Sequence, residues 1–312
     1  MRKAALLYNP VSGGSRKRQR ELDRALSVLR EAGVKAEIVP TDSPHHAEAE
    51  ARRAVTDGCD TIFACGGDGT IHNILQVLAN TTVPLAILPM GTANALAHDL
   101  GLPMNVPASA KAALNAVPRR IALGRISHMN LKNEPASCYF VLAAGIGVDA
   151  HLFYQLHSEI KQRIGMAAYY AKAWHLWFSY SMPRFHAEYV DASSNITQTA
   201  SVTELMGVRI RNFGGVLREF APGASLDRDE IRLILCHTAK RWAYLLYVTQ
   251  GLLGWRWPVP GIDVVSSTHV SCRYATSGEQ TIYVEADGEL IGTLPAEMTI
   301  VPNALTLLAP AR

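Results

Sequence analysis

The segment Gly66-Gly67-Asp68-Gly69-Thr70 combines three glycines with one carboxylate and directly follows the apolar run 60–65. Glycine lets a chain turn tightly and bring its backbone close to a ligand. The next residues, 71–78, have the composition of a helix, so backbone N–H groups and a positive helix end would face an anion. A carboxylate in that turn would repel a phosphate unless a cation bridges them, and Mg²⁺ is the usual bridge. The segment therefore predicts a site for nucleotide phosphates and a metal.

Two further turns of small residues also follow strand-like runs. They are Asn9-Pro10-Val11-Ser12-Gly13-Gly14 and Pro89-Met90-Gly91-Thr92-Ala93-Asn94. Taken alone, each is explained more simply as an ordinary strand-to-helix turn or a helix cap than as a ligand site. Because the carboxyl ends of parallel strands meet at one edge of a sheet, we expect all three turns to converge there.

The first third of the chain alternates strand and helix signals. This order predicts an α/β domain with a parallel sheet covered by helices on both faces. The predicted strands are Lys3–Tyr8, Lys35–Pro40, 60–65 and Val83–Pro89, and the predicted helices are Arg18–Ala32, Thr41–Asp57, 71–78 and Asn94–Leu100.

From about Ile121 the pattern changes to strands separated by turns, which predicts an antiparallel β-sandwich or a similar layer. The predicted strands are Cys138–Ala144, Phe185–Asp191, Val202–Ile210, Glu230–Cys236, Asp263–Tyr274, Thr281–Ala286 and Glu297–Val301, and two helical stretches, His151–Tyr180 and Lys240–Gly254, interrupt them. Asp287-Gly288 is a typical hairpin turn.

Composition excludes several classes of protein. The chain has 312 residues, of which 48% are hydrophobic and 18% charged, and this suits a folded protein with a large core. A net charge of +3 is too small to indicate nucleic-acid binding. The five cysteines form no C-x-x-C pair, so a disulfide framework and a zinc site are not expected, and a reducing cytoplasm fits. No apolar run has the length needed to span a bilayer.

The three turns, in this order, resemble the diacylglycerol kinase catalytic family, which includes bacterial soluble lipid kinases and sphingosine kinase relatives. Later segments extend the resemblance over essentially the whole chain: Gly145–Asp149, Asn212–Gly215, Ala221–Ala224, Val284–Glu289 and Val301–Leu305. The resemblance implies an α/β ATP-binding domain at 1–122 and a β-sandwich lipid-substrate domain at 123–302. The tail 303–312 would return to the first domain, and the active site would lie between the two.

The resemblance also implies an activity and its residues. The enzyme would use ATP and Mg²⁺ to phosphorylate a lipid hydroxyl, most simply that of diacylglycerol or a related lipid. Asp287 or Glu289 would be the general base, and Asp68 would complete the catalytic set. The residues implied for ATP binding are Asn9, Arg16, Arg20, Thr41, Gly66, Gly67, Asp68, Gly69, Thr70, Ile71, His72, Gly91, Thr92 and Asn94. For His72, a helix-capping or solvent-facing role is the simpler interpretation.

The metal ligands implied by the resemblance are Asp68, with Asp227 or Asp229 for a structural Mg²⁺. The chain departs from many relatives at three positions. Ala95 and Ala122 stand where acidic residues are common, and Arg228 lies in the segment that would hold the structural cation. These departures keep a catalytically impaired nucleotide- or lipid-binding homologue open. A NAD kinase-like or other small-molecule kinase is also open, because those families use Gly-Gly-Asp-Gly as well.

A lipid substrate implies transient contact with the inner face of a membrane by a cytoplasmic enzyme of phospholipid metabolism. The aromatic stretch 169–180 has the composition of an interfacial helix, although packing on the sandwich explains it equally well. Tyr244–Trp257 is a second candidate for lipid contact. The basic stretch Arg16–Arg24 is either a solvated helix face or a surface for phosphates and anionic lipid. A homodimer is left open, and no nucleic-acid partner is expected.

Overall fold

The computed structural model describes residues 1–10, 16–155, 181–214, 220–255, 257–276 and 280–310. Four parallel strands begin the fold: β1 (Lys3–Tyr8), β2 (Lys35–Pro40), β3 (Thr61–Gly66) and β4 (Leu85–Pro89). They lie side by side in the order β2-β1-β3-β4. Strands β1, β3 and β4 are almost wholly buried, which is why they read as continuous apolar runs.

Helices cover both faces of this parallel sheet. They are α1 (Arg16–Glu31), α2 (Pro44–Thr56), α3 (Asp68–Leu78), α4 (Ala95–Asp99) and α5 (Val106–Leu114). On one face, α1 and α5 share a core with the alternate side chains of β1 and β3. On the other face, α2, α3 and α4 pack against the side chains that point the opposite way. Because successive side chains of a strand point to opposite faces of the sheet, each strand contributes to two separate cores.

The remaining strands are largely antiparallel. They are β5 (Val117–Met129), β6 (Pro135–Phe140), β7 (Ala143–Gly147), β8 (Phe185–Asp191), β9 (Thr197–Val202), β10 (Glu204–Val208), β11 (Ile231–Cys236), β12 (Ile262–Tyr274), β13 (Tyr283–Ala286) and β14 (Glu289–Ala309), with helices α6 (Val148–Gln155) and α7 (Arg241–Leu253). Their order is β14-β13-β7-β10-β11-β12-β8-β9, and β12 also pairs with β14, so the strands enclose a third core.

Strand β14 joins the two halves of the molecule. Its first part pairs with β13 and β12, whereas Leu307 near its end pairs in parallel with Leu85 of β4. Strand β5 runs antiparallel to β14 over most of its length. The predicted fold class, a parallel α/β sheet followed by an antiparallel sheet, is confirmed. The domain limits at 122 and 302 stay a prediction.

The prediction of a single strand over Cys138–Ala144 is wrong. Cys138–Ala144 forms two strands, β6 and β7, with a break at Val141 and Leu142. The backbone N–H groups at the break donate to the buried carboxylate of Asp287 instead of to a neighbouring strand. Val202–Ile210 is likewise divided, between β9 and β10.

The predicted helix 151–180 is described only at its start. Helix α6 begins at Val148, three residues earlier than predicted, and the aromatic stretch 169–180 lies outside the described residues. In the described part of the chain, no helix is both long and apolar enough to cross a membrane.

Candidate active site

Asn9, at the start of the first small-residue turn, meets the turns at Gly66–Thr70 and Pro89–Asn94 at one edge of the parallel sheet, and positions 11–14 lie outside the described residues. Asn9 and these two turns surround a cleft of about 300 Å³. The cleft is lined by Tyr8, Asn9, Arg18, Thr41, Ser43, Pro44, Ala47, Cys65, Gly66, Gly67, Gly69, Thr70, Asn73, Met90, Gly91 and Glu289. Half of the fourteen residues implied for ATP binding are absent from this lining, and the position of each follows below.

Glycine is required where two of the turns touch. A Cβ added to Gly91 would lie 2.4 Å from the Cα of Gly67, and one added to Gly67 would lie 3.1 Å from the Cα of Gly91. These are backbone contacts, so no side-chain movement could relieve them. At Gly66 an added Cβ would lie 2.2 Å from the hydroxyl of Thr70. The glycines therefore let two backbones approach each other beside the cleft.

The N-terminus of α3 faces this cleft without a side-chain cap. The helix is preceded by Gly67, whose carbonyl accepts from the N–H groups of Thr70 and Ile71. The first N–H groups of a helix have no partner within the helix, and they carry the positive end of its dipole. Gly67 and Gly69 present such groups to the cleft with no side chain in between. This arrangement suits a phosphate group.

The side chains of Asp68 and Asn94 hold the turns in place through hydrogen bonds to backbone groups. The carboxylate of Asp68 accepts from the N–H groups of Ala95 (3.0 Å) and Leu96 (3.2 Å) at the start of α4. Burial raises the pKa of Asp68, although these two backbone donors act in the opposite direction. The side chain of Asn94 accepts from the N–H of Gly91 and donates to its carbonyl. Neither Asp68 nor Asn94 lines the cleft.

Other residues implied for ATP binding lie away from the cleft. Arg16 and Arg20 are exposed on α1, and Thr92 is exposed at the end of its turn. Ile71 belongs to the buried core between α3 and the sheet. Their side chains are not brought together with Asn9 and Thr41.

Among the lining residues that were not singled out from the sequence, Arg18, Ser43 and Asn73 have side chains suited to binding a polar ligand. Arg18 is the member of the basic stretch that reaches the cleft. Ser43 caps α2, accepting from the N–H of His46 at 3.3 Å. Asn73 lies on α3 one turn beyond Gly69 and Thr70, and this helical spacing was the available signal. Ser43 follows Thr41 after the end of β2, which was a weaker signal.

Asp287 is the most fully hydrogen-bonded carboxylate beside the cleft. It occupies the β13–β14 turn with a φ of +52°, followed by Gly288 at +84°. Only 1% of its side chain is exposed. Its carboxylate accepts from the backbone N–H groups of Leu142 (2.7 Å), Val141 (3.1 Å) and Ala143 (3.3 Å). The anion is held in a nest of N–H groups at the break between β6 and β7.

His72 completes this network from α3. Its Nδ1 lies 3.1 Å from Oδ2 of Asp287, and since a carboxylate only accepts, Nδ1 carries the hydrogen. Burial lowers the pKa of His72, but the hydrogen bond and the charge of Asp287 outweigh burial and raise it. His72 is 6% exposed, so the interpretation as a capping or solvent-facing residue is wrong. It connects the glycine-rich turn to the β13–β14 turn.

Glu289 differs from Asp287 in every respect that matters for proton transfer. Its side chain is exposed and lines the cleft. A Cβ placed on Gly69 would lie 2.6 Å from Oε1 of Glu289, so the carboxylate rests against the glycine-rich turn. Of the two candidate bases, Glu289 is therefore the one that a molecule in the cleft can reach.

Three further carboxylates are buried behind the β13–β14 turn. Glu204 accepts from the N–H of Val148, and Glu285 accepts from the N–H of Gly288 at 2.8 Å. Burial raises the pKa of Glu204 and of Glu285 well above the usual range, and the charge of Asp149 raises both further. Burial also raises the pKa of Asp149. This group favours holding a proton, and the sequence reasoning missed it because Asp149, Glu204 and Glu285 lie far apart along the chain.

The region of Asp227 and Asp229 is arranged around an arginine. The guanidinium of Arg209, which is 0% exposed, donates to the carbonyls of Arg228 (2.6 Å), Glu230 and Ala122 (3.0 Å). Carbonyls of this kind would be ligands for a structural cation, and a fixed cation already occupies them.

One acidic residue of that loop, Asp227, is engaged elsewhere. Asp227 pairs with Arg119 at 2.6 Å. Among the described residues, no three His, Cys, Asp or Glu side chains are grouped so that they could hold a metal ion. Asp68, Asp227 and Asp229 therefore do not form a shared metal site, and the expectation of a structural Mg²⁺ at Asp227 or Asp229 is not carried further.

Comparisons with known proteins agree with this architecture. A sequence model of the diacylglycerol kinase catalytic domain matches residues 3–126, and one of the YegS C-terminal NAD kinase beta sandwich-like domain matches residues 143–309. A diacylglycerol kinase of Bacillus subtilis (strain 168) is 26% identical over 317 residues, covering 99% of this chain and 97% of that protein.

Solved structures extend the comparison to the fold. A diacylglycerol kinase from Bacillus anthracis str. Sterne superposes with a TM-score of 0.71 at 17% identity, covering 99% of this chain and 96% of that one. Yeast NADH kinase complexed with NADH gives a TM-score of 0.54 at 10% identity, covering 100% of this chain and 84% of that one. At these identities the structures establish a shared fold.

Proposed function

We propose that this chain, which belongs to the diacylglycerol kinase catalytic family, transfers the γ-phosphate of ATP to a hydroxyl group of diacylglycerol or a related lipid. The observation that carries the proposal is the cleft itself, where an uncapped helix N-terminus between glycines lies against the exposed carboxylate of Glu289. An anion-binding end and a proton acceptor in one cleft are the two parts that phosphoryl transfer to an alcohol needs.

ATP would lie with its phosphates on the glycine-rich turn. The N–H groups at the start of α3 would bind phosphate oxygens, and Gly67 and Gly91 allow the close approach of the chain. Asn9 and Thr41, at the ends of β1 and β2, would contact the nucleoside part of ATP. Arg18 would add positive charge beside the phosphates, as its position at the cleft allows.

Mg²⁺ fits Asp68 better than any other predicted ligand. A carboxylate offers about four lone-pair positions, and backbone N–H groups use two of those on Asp68. Its remaining lone pairs would be available to a cation, and hard oxygen ligands are those that Mg²⁺ prefers. When bound, Mg²⁺ would neutralise part of the phosphate charge. Asp68 would hold the ion, and its hydrogen bonds to α4 keep the carboxylate in place.

Glu289 would act as the general base. The lipid hydroxyl gives its proton to the Glu289 carboxylate while its oxygen forms a bond to the γ-phosphorus. The bond from that phosphorus to the β–γ bridging oxygen breaks, and ADP leaves. A base must have a lone pair that the substrate can reach. Glu289 meets this condition, whereas the Asp287 carboxylate is buried and bonded to four donors.

Asp287 would act as a positioning residue. Its bonds to His72 and to the β6–β7 break fix the turn that carries Glu289 two residues later. The product would be a phosphorylated lipid, so the reaction belongs to phospholipid metabolism. Because the substrate resides in a bilayer and ATP is cytoplasmic, the enzyme would work at the inner face of the membrane as a peripheral protein.

The test is a transfer assay with γ-labelled ATP and Mg²⁺. The acceptors are diacylglycerol in mixed phospholipid vesicles and, separately, NAD and NADH. We expect label in the lipid, and a loss of about 10²-fold or more in Glu289→Gln. Label in NAD or NADH alone would replace the proposal with the NAD kinase-like activity, a candidate kept because the fold is shared with yeast NADH kinase. ATP binding without transfer to any acceptor would indicate a catalytically impaired homologue.

A further inference from the structure

Helix α7 exposes its apolar side chains and buries polar ones. Within Arg241–Leu253, the buried side chains are Tyr247 and Gln250. Trp242 is 80% exposed, and Leu246, Leu252 and Leu253 are 40%, 41% and 51% exposed. A helix on the surface of a water-soluble protein normally has the reverse arrangement.

The outward orientation of α7 is fixed by specific hydrogen bonds. The Tyr247 hydroxyl donates to the carbonyl of Phe220 at 2.7 Å. The Tyr244 hydroxyl lies 2.7 Å from the hydroxyl of Thr203. The side-chain oxygen of Gln250 accepts from the backbone N–H of Trp257 at 3.3 Å. These partners satisfy the polar groups of the inner side, so the apolar outer side is a consequence of how the helix is anchored.

Two tryptophans continue the apolar surface beyond the helix. Gly254 ends α7 in the left-handed conformation, and the rings of Trp255 and Trp257 then lie 4.9 Å apart. They are 51% and 42% exposed. We call the exposed side chains Trp242, Leu246, Leu252, Leu253, Trp255 and Trp257 the α7 face. Trp242, Leu246 and Leu253 recur at i, i+4 and i+11, which places them along one line of the helix.

The charged residues of α7 and of the segments directly before and after it are basic. The segment 231–262 contains no Asp or Glu and includes Arg232, Lys240, Arg241 and Arg256. Lys240 is exposed at the start of α7. The next acid along the chain, Asp263, lies beside Trp255 and Trp257 and pairs with His237 at 3.0 Å. Tryptophan and leucine bordered by basic residues are typical of protein surfaces that enter the interface of an anionic bilayer.

We propose that the α7 face docks on an anionic phospholipid bilayer, with the tryptophans at the headgroup level and Lys240 among the lipid phosphates. This inference deepens the proposed function and rests on it, because it names the surface that brings the enzyme to a lipid substrate. The inner side of α7 is linked to the catalytic turn. Tyr244 packs near Val148, which follows β7, and β7 pairs with β13 directly before Asp287.

The test measures binding of the full chain to vesicles by co-sedimentation, with vesicles of phosphatidylcholine alone or mixed with phosphatidylglycerol. We expect binding to the mixed vesicles and a blue shift of tryptophan fluorescence. The double variant Trp242→Ser/Leu246→Ser should lower vesicle binding by about tenfold or more, because two apolar side chains no longer enter the interface. Lys240→Gln should lower it about fivefold on the anionic vesicles alone.

Leu131→Ser is the matched control. Leu131 is 57% exposed on the β5–β6 turn, away from α7, so removing it should leave vesicle binding unchanged. Unchanged thermal midpoints would show that all variants fold. Binding of the double variant equal to that of the native chain would overturn the proposal. So would a native dimer that becomes monomeric in the double variant without any vesicle binding, because a second copy would then cover the face.

A second measurement separates this inference from the proposed function. Phosphorylation of a short-chain diacylglycerol dissolved as monomers needs no bilayer, so the double variant should retain it within about twofold. If no lipid is phosphorylated in any form but vesicle binding depends on the α7 face, the docking surface stands and the kinase proposal fails. If the native chain phosphorylates the dissolved lipid but does not bind vesicles, the kinase proposal stands and the docking surface fails.

Discussion

Of two substitutions in the β13–β14 turn, Asp287→Asn should mainly lower the stability of the fold, and Glu289→Gln should mainly lower kcat. Asp287→Asn keeps the shape of the side chain, and asparagine tolerates the left-handed backbone that Asp287 adopts at φ +52°. One acceptor oxygen becomes an NH₂ group, however, and the charge is lost. Oδ2 accepts from His72 and Val141 at 3.1 Å each, so both of these bonds lose their acceptor.

The expected cost follows from these bonds. Hydrogen bonds to a charged group contribute roughly 1.5–3 kcal/mol each. Val141 also lies 3.2 Å from Oδ1, which the amide oxygen can replace, so part of its bond survives. We therefore expect Asp287→Asn to lower the free energy of unfolding by about 2–4 kcal/mol. Glu289→Gln changes an exposed side chain and should stay within about 0.5 kcal/mol of the native value.

Activity should show the opposite order. Glu289→Gln removes the proton acceptor and should lower kcat by about 10²–10⁴-fold. The assay pairs urea unfolding with kcat for each variant that is folded at the assay temperature. The reasoning is refuted if Asp287→Asn unfolds at the native urea midpoint while it loses more kcat than Glu289→Gln. Asp287 would then be the base, and its four hydrogen bonds would have to open when substrate binds.

Three further predictions concern single residues. The raised pKa of His72 means that its protonated form stabilises the fold fully below the unfolded pKa of about 6.5, and that this stabilisation is lost as pH rises through the folded pKa. The free energy of unfolding of the native chain, measured by urea titration, should therefore fall above about pH 6.5 by up to about 1.4 kcal/mol per pH unit, and His72→Gln should remove this slope. In Gly69→Ala, the new Cβ would displace the Glu289 carboxylate, 2.6 Å away, so kcat should fall by about 10- to 100-fold while the thermal midpoint is unchanged; full activity would contradict the placement of Glu289. Arg209→Met should lower the free energy of unfolding by about 3–5 kcal/mol in urea titration, since three carbonyls, that of Ala122 buried, lose their donor. A midpoint equal to the native one would show that the guanidinium contributes nothing there.

The parallel sheet and its cleft could be predicted from sequence because their signals are local. Each strand of the first half is an apolar run, and each turn that follows it carries its own glycines. Gly66, Gly67, Gly69 and Gly91 reach the cleft for this reason. The order of strands along the chain then places the turns at one edge without any knowledge of side-chain contacts.

The contacts that bury Asp287 and leave Glu289 exposed could not be predicted from local sequence signals. His72 and Asp287 are 215 positions apart, and nothing near His72 indicates a buried anion. The break between β6 and β7 was missed for the same reason. Val141 and Leu142 are apolar and suit a strand, and the chain leaves the ladder there because a distant carboxylate binds their N–H groups. Strand propensity depends on a residue and its neighbours in sequence, whereas these contacts form only in the assembled fold.

The β13–β14 turn explains how two carboxylates two positions apart acquire different tasks. Ala286 and Glu289 face each other across the turn, and Asp287 and Gly288 complete it with positive φ values. This backbone directs Asp287 inward, where its N–H donates to the carbonyl of Ala143 at 2.8 Å while its side chain binds the nearby N–H groups. An anion that holds a turn must have its lone pairs occupied, and a base must have them open. Because one tight turn carries both, the bonds that fix Asp287 also fix the position of Glu289 beside the phosphate-binding turn.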